Sequence, residues 1–324
     1  MISIFYRLGS EIVLSQSLTE FATIGKENVL WIDLVDPSGE EKRGVESFLD
    51  TELQSRGQAE EIESSSRFSE DASSIFANTN FLSPTGDEMS MDPVSFIING
   101  GILCTLREIP LRSFDLLQRK IQARPALYKD GFTIFVEIMD KRVDLDADIV
   151  ELVSQDTAQF SKRINQQEDI NEEFLLDINQ LQENVMMIRE NIVDKQRLIS
   201  NILKSDHCPD IMDKKLTVLI QDIASLINHI NFTFERLEYL QDTVVGLINL
   251  EQNRIMKIFT FISLVLMPAT LVASFYGMNV SLPFDGRWWA WIAILALMVV
   301  LIGGIWLIFN LRKVPFASSL CPSL

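Results

Sequence analysis

The chain has 324 residues, 45 acidic against 28 basic side chains, and a formal charge of −17. So acidic a balance argues against nucleic acid as a partner, because such ligands need a basic face. Three cysteines, Cys104, Cys208 and Cys321, fall at no repeated spacing, which suits a reducing compartment rather than a disulfide framework.

Residues 1–123 read as an α/β region. Strand-like runs at 2–8 and 11–15 flank a Gly9-Ser10 turn, and residues 29–35 form a short apolar run suited to a buried strand. Asp36-Pro37-Ser38 ends that run. Ser38 with Glu41 three residues on has the capping-box pattern, which predicts a helix to about Asp50. Residues 58–71 mix acids with serines and read as a solvated helix or loop. Residues 75–82 are a strand candidate, and 94–98 with 102–106 form a hairpin around Asn99-Gly100-Gly101. Residues 1–14 contain Arg7 and Glu11 and do not resemble a signal peptide, so this region is expected in the cytoplasm.

Residues 124–257 read as long helices. Phe174, Ile178, Leu181, Val185, Ile188, Ile192, Ile199 and Ile202 fall on one heptad stripe interrupted by Lys195, which predicts a helix packed coiled-coil fashion against a neighbour. Asp206-His207-Cys208-Pro209 breaks it. His207 and Cys208 are adjacent and have no second ligand pair nearby, so they read as a turn rather than a metal site. His229 reads as structural.

The last long helix is expected to begin near Lys214 and to run on into residues 258–276, 19 residues without a charge. A second uncharged stretch of 24 residues covers 288–311. Both lengths suffice to cross about 30 Å of hydrocarbon as helices. Arg254 and Lys257 precede the first stretch, and Arg312 and Lys313 follow the second. The loop between them, 277–287, carries only Arg287 opposed by Asp285. By the positive-inside rule the protein is multi-pass, with both termini cytoplasmic and the loop outside; Trp288, Trp289 and Trp291 mark the outer headgroup region. Residues 312–324 form a cytoplasmic tail. The expected class is an α+β membrane protein: a cytoplasmic α/β domain, long coiled-coil-like helices, and two C-terminal transmembrane helices in the lipid bilayer.

Steps of four and three from Asp242 pass through Gly246, Asn249, Asn253, Met256, Thr260, Ser263, Met267, Thr270, Ser274 and Gly277. No branched aliphatic or aromatic residue lies on that line, while Val244, Leu247, Ile248, Ile255, Ile258, Leu264 and Leu271 flank it. A narrow polar face of this kind has the form of pore lining. Small residues alone would be accounted for by close helix packing; Asp242, Asn249 and Asn253 would not. Phe259 lies beside the line and, with Met256, is a candidate hydrophobic gate that closes by dewetting. Two helices cannot enclose a channel, so a pore requires an oligomer with each stripe residue repeated as a ring.

Tyr276-Gly277-Met278-Asn279, set between two C-terminal spans behind an acidic α/β region, resembles the CorA family of magnesium transporters. Asn253, Met256, Met267, Pro268 and Thr270 match residue types of that family's pore helix, Asp242 matches its cytoplasmic pore acid, and Trp31-Ile32-Asp33-Leu34 before Asp36-Pro37 is similar to its early strand. The resemblance implies a homopentamer in the inner membrane that takes up Mg²⁺, with Co²⁺ and Ni²⁺ as further cargo, through a pore gated by a funnel-shaped cytoplasmic domain that senses divalent cations. Gly277, Met278 and Asn279 would form the outer selectivity filter, and Asn279, Asn253 and Asp242 would face the metal. Mg²⁺ would be both cargo and regulator, with no catalytic cofactor.

Two departures stand out. The outer loop keeps a single acid, Asp285, where the family's loop is rich in acids, and Phe259 stands where the family usually has leucine. Glu60, Glu61, Asp71 and Asp92 are candidates for the regulatory cation. Two further readings stay open: a Zn²⁺ transporter of the same superfamily coupled to protons, and a non-conducting membrane-anchored scaffold. An enzyme is the least supported reading, for want of a nucleophile–base pair, metal-ligand spacing or phosphate loop.

Overall fold

A computed structural model describes residues 1–53, 67–85, 88–166, 170–278 and 287–311. It divides into two compact units, Met1–Asp242 and Thr243–Leu324.

The first unit is built on a seven-stranded sheet of order β2-β1-β3-β7-β6-β5-β4. Its strands are β1 (Ile2–Leu8), β2 (Glu11–Ser15), β3 (Val29–Val35), β4 (Phe68–Glu70), β5 (Ser74–Thr85), β6 (Glu88–Asn99) and β7 (Ile102–Arg107). Neighbours are antiparallel except β3 and β7, which run parallel from Trp31 opposite Leu103 to Val35 opposite Arg107. The hairpin turns follow from glycine: Gly9 at φ +64° joins β1 to β2, and Gly100 at +56° with Gly101 at +87° joins β6 to β7. β5 and β6 are both longer than their apolar cores suggested, pairing from Ser74 opposite Asn99 to Thr85 opposite Glu88. Residues 68–70 pair as β4, so the expected helix or loop is corrected there. Pairing with β5 satisfies the backbone of that segment, which its polar sequence does not announce. Residues 58–66 of that segment lie outside the described residues.

Alternation along β3 sends Ile32 and Leu34 to one face and Trp31 and Asp33 to the other. The first face packs with Val45 and Leu49 of α1 (Gly39–Leu49), together with Ile4, Ile97 and Cys104. α1 starts as expected: Ser38 Oγ accepts from the Glu41 amide at 3.2 Å, and Glu41 Oε2 accepts from the Ser38 amide at 2.8 Å. The opposite face carries aromatics. Trp31 stacks on Phe5 at 4.7 Å, and Phe114 sits 5.9 Å from Trp31 and 6.5 Å from Phe96. Phe114 belongs to α2 (Arg112–Ala123), a helix not expected from sequence. Leu111 at its N-cap offers no side-chain acceptor, so no start signal marks it, although Phe114, Leu117 and Ile121 are buried at helical spacing.

α3 (Gly131–Gln166) and α4 (Glu172–Lys204) follow. Gly131 is required for close approach: a Cβ there would stand 2.2 Å from the Leu103 amide nitrogen. All eight residues of the heptad stripe on α4 are buried. They lie mainly against β5 and its sheet neighbours, and against α3, rather than along a single coiled-coil partner. Lys195 is no interruption. It is 1 % exposed, with its Nζ 2.8 Å from Asp146 Oδ2, while Arg142 binds the other oxygen of that carboxylate.

α5 runs from Asp210, four residues before the expected start, to Tyr276. At about 1.5 Å per residue its 67 residues reach about 100 Å. In the first unit it buries Leu216, Leu219, Ile223, Ile230, Leu237 and Leu240 at three-four spacing. Gln182 and Asn179 of α4 hydrogen-bond Gln241 at 3.2 and 2.7 Å.

The second unit contains the remainder of α5 and α6 (Trp289–Leu311). Among the described residues α5 is the one helix long and apolar enough to cross a membrane, and none of its apolar window is buried. α6 has 23 residues and contains a shorter apolar stretch, Ile292–Ile305.

Candidate ion-binding face of the long helix

Every residue of the predicted stripe is on α5 or immediately after it. Asp242, Gly246, Asn249, Asn253, Met256, Thr260, Ser263, Met267, Thr270, Ser274, Gly277 and Met278 are all exposed in the isolated chain. Asp242 closes the first unit, and the rest belong to the second. Of the expected apolar flanks, Ile255, Ile258, Leu264 and Leu271 are exposed, whereas Val244 is fully buried within the chain and so is corrected as a lipid- or partner-facing residue. Phe259 and Met256 are 64 % and 63 % exposed, a pair of large apolar groups with nothing covering them in a single chain.

Two stripe hydroxyls have their protons committed. Thr260 Oγ1 donates to the Met256 carbonyl at 2.8 Å and Thr270 Oγ1 to the Leu266 carbonyl at 2.9 Å. Each oxygen then keeps its lone pairs for outside donors, which suits it to accept from the waters of a hydrated cation. Pro268 has no amide to offer the Leu264 carbonyl, six residues before Thr270, so that acceptor loses its usual helical donor.

The helix closes on the tetrapeptide itself. The Gly277 amide donates to the Ala273 carbonyl at 3.0 Å, and the Met278 amide to that of Phe275 at 3.4 Å, a tightened last turn. A Cβ on Gly277 would stand 3.2 Å from the Ala273 oxygen, so the turn is close-fitting at glycine. Asn279 and Asp285 lie outside the described residues.

The candidates for the regulatory cation separate. Asp71 is exposed and accepts from the Ser73 and Ser74 amides at 2.8 Å each. Those bonds hold its carboxyl below the usual range and give it a turn-forming role between β4 and β5. Asp92 is half-buried on β6, opposite Phe81. Glu60 and Glu61 lie outside the described residues. His207 and Cys208 form the turn between α4 and α5: His207 Nε2 lies 2.9 Å from the Asp71 carbonyl, and burial with nearby Asp213 and Asp210 pushes the Cys208 thiol up to about 11. A thiol so far from its thiolate form is a poor soft-metal ligand at neutral pH. Among the described residues no three His, Cys, Asp or Glu side chains gather to hold a metal. His229 is exposed.

Sequence reasoning missed two buried polar clusters. Arg107 grips Asp33 with Nη2 to Oδ2 at 2.8 Å and Nε to Oδ1 at 3.2 Å; Thr105 Oγ1 also donates to Asp33, and Trp31 Nε1 donates to Thr105. Arg142, Asp146 and Lys195 form the second. An acid inside the apolar run 29–35, and a lysine on an otherwise apolar stripe, were the available signals.

The sequence profile of the family described as "CorA-like Mg2+ transporter protein" matches residues 26–313. The chain belongs to this CorA-like family. A CorA family member from Wolinella succinogenes, a magnesium transport protein, is 34 % identical over 296 residues, covering 89 % of this chain and 92 % of its own. The Escherichia coli K12 magnesium transport protein CorA is 31 % identical over 264 residues, covering 81 % and 84 %. The complete CorA magnesium transporter from Methanocaldococcus jannaschii superposes with a TM-score of 0.79 at 18 % identity, over 97 % of this chain and 98 % of that one. That likeness speaks for the fold: a CorA-type soluble domain followed by a long helix. The CorA family match spans all of α5, the tetrapeptide and α6.

Proposed function

We propose that this chain is one subunit of a homopentameric channel that takes up Mg²⁺ across the inner membrane, with Co²⁺ and Ni²⁺ as further cargo. Residues 258–276 and 288–311 form the two spans, both termini are cytoplasmic, and residues 277–287 face outside. Five copies of α5 surround one pore, so that each stripe residue becomes a ring.

The observation that carries this reading is the exposed polar face of α5. It is continuous from Asn249 to Gly277, and it borders an apolar window of which none is buried. An exposed apolar helix needs lipid or other helices around it, and a polar line within it needs water. Mg²⁺ sheds its waters reluctantly, so rings of Gly277 carbonyl, Thr270 hydroxyl and Asn253 and Asn279 amide oxygens hold the hydrated ion by its waters. Asp242 adds a ring of formal negative charge at the cytoplasmic end. Met256 and Phe259 provide a constriction that closes by dewetting. The role of Asn279 rests on the tetrapeptide motif. Cytoplasmic Mg²⁺ gates the pore through the first unit.

The test is flux of Mg²⁺, Co²⁺, Ni²⁺ and Zn²⁺ into proteoliposomes, with and without a pH gradient, for the wild type and Asn279→Ala. Mg²⁺ uptake lost in the variant, with the oligomer intact, is the expected result. Zn²⁺ flux that tracks the pH gradient in place of Mg²⁺ flux would transfer the chain to proton-coupled transport, and no flux of any ion would leave a scaffold.

A further inference from the structure

A cleft of about 250 Å³ opens in the first unit where the N-terminus of α2 meets β5 and α3. Leu82, Leu111 and Ile149 form its apolar walls, and Arg112, Ser113 and Arg142 supply its donors.

Four features converge there. The 12-residue helix α2 starts without a capping side chain, and its first backbone hydrogen bond is donated by the Phe114 amide to the Leu111 carbonyl at 3.0 Å. The amides of Arg112 and Ser113 therefore precede the helical ladder. Ser113 is 1 % exposed, yet its hydroxyl has no hydrogen-bond partner, an expensive arrangement for a buried donor. Arg142 is 4 % exposed and directs Nε and Nη2 to Asp146 Oδ1, so Nη1 is outside that ion pair. Behind the cleft Asp146 is shared between Arg142 and Lys195, two cations against one carboxylate. The wall of the cleft therefore carries surplus positive charge. Arg112 stands exposed at the mouth, and Asp148 on the rim offers an acceptor.

We propose that this cleft binds a small phosphomonoester whose organic part carries a hydroxyl group. The phosphate oxygens accept from the Arg112 and Ser113 amides, the Ser113 hydroxyl and the two guanidinium groups; the ligand's hydroxyl donates to Asp148. A tetrahedral dianion matches this donor set better than a planar carboxylate, because the donors come from the helix end, the mouth and the back wall at once. The proposal stands apart from the transport reading, since nothing in it requires a pore.

The full chain in detergent, titrated calorimetrically with glycerol 3-phosphate, tests it. Saturable binding is expected, weakened at least tenfold in both Arg112→Ala and Ser113→Ala. Ser113→Ala removes a buried hydroxyl that bonds nothing in the free protein, so its fold should be kept and its unliganded Tm should equal or exceed that of the wild type. Asp148→Asn should narrow the preference for glycerol 3-phosphate over inorganic phosphate. No saturable binding, unchanged affinity in either alanine variant, or equal affinity for a glycerophosphodiester, the chemistry of a lipid headgroup, would each overturn it.

Discussion

Lys195 Nζ sits 2.8 Å from Asp146 Oδ2 in the interior of the first unit, both side chains 1 % exposed. The same carboxylate holds Arg142, so removing the acid strands two buried cations, whereas removing the lysine leaves the acid paired. Asp146→Asn is expected to cost about 3–5 kcal/mol of stability, the scale for breaking a buried pair from one side. Lys195→Met, close in volume, should stay within about 1–2 kcal/mol of the wild type or exceed it, as hydrophobic replacements of buried ions do. Thermal unfolding of the two variants in the same detergent checks the contrast, and equal losses would contradict it.

Burial pushes the Lys195 ammonium down to about 8, against the opposing pull of Asp146. The folded pKa lies below the unfolded one, so between about pH 8 and the ordinary lysine value of about 10.4 the unfolded chain holds a proton that the folded chain has released. Stability from this group therefore rises with pH across that window and is flat below it. The Tm difference between wild type and Lys195→Met, followed from pH 7.5 to 10, should move in favour of the wild type as pH climbs. A constant difference would refute the assignment.

Thr270 donates its proton to Leu266 and presents only lone pairs outward. Thr270→Val keeps the shape and removes that oxygen, so Mg²⁺ flux should fall severalfold, while Thr270→Ser should retain most of it. Equal flux in Val and Ser variants would mean the hydroxyl has no contact with the ion's waters.

Gly277 and Gly246 share a helix face but differ in room. A Cβ meets the Ala273 oxygen at 3.2 Å at the first position and nothing within 4 Å at the second. Gly277→Ala should distort the last turn and reduce flux severalfold. Gly246→Ala should leave flux within about twofold and raise helix stability by about 1 kcal/mol, the usual margin of alanine over glycine. Flux assays paired with thermal melts separate the two.

Much of the fold was legible because local chemistry marked it. The Ser38–Glu41 box starts α1, the Asn99-Gly100-Gly101 turn joins β6 to β7, and a 3-4 polar stripe runs along α5 from Asp242 onward. Where local chemistry is silent the reading failed: α2 has no cap, and β4 is polar and exists through its pairing with β5. Lys195 read as a blemish in a heptad because its partner, Asp146, is 49 residues away and on another helix. The exposed polar face of α5 was legible because periodicity alone defines it. Arg107 with Asp33 was not, since the two are brought together by the parallel pairing of β3 with β7.

That parallel pairing also bears on the order in which the protein is made. Trp31 must wait for Leu103, so no strand register across the middle of the sheet exists until the ribosome has delivered β7. Once it has, all seven strands are present, and α3 and α4 follow before any of the lipophilic window of α5 has been synthesised. The soluble core can thus collapse around its own aromatics early in translation, and the segment most prone to aggregate emerges behind a body that is already folding.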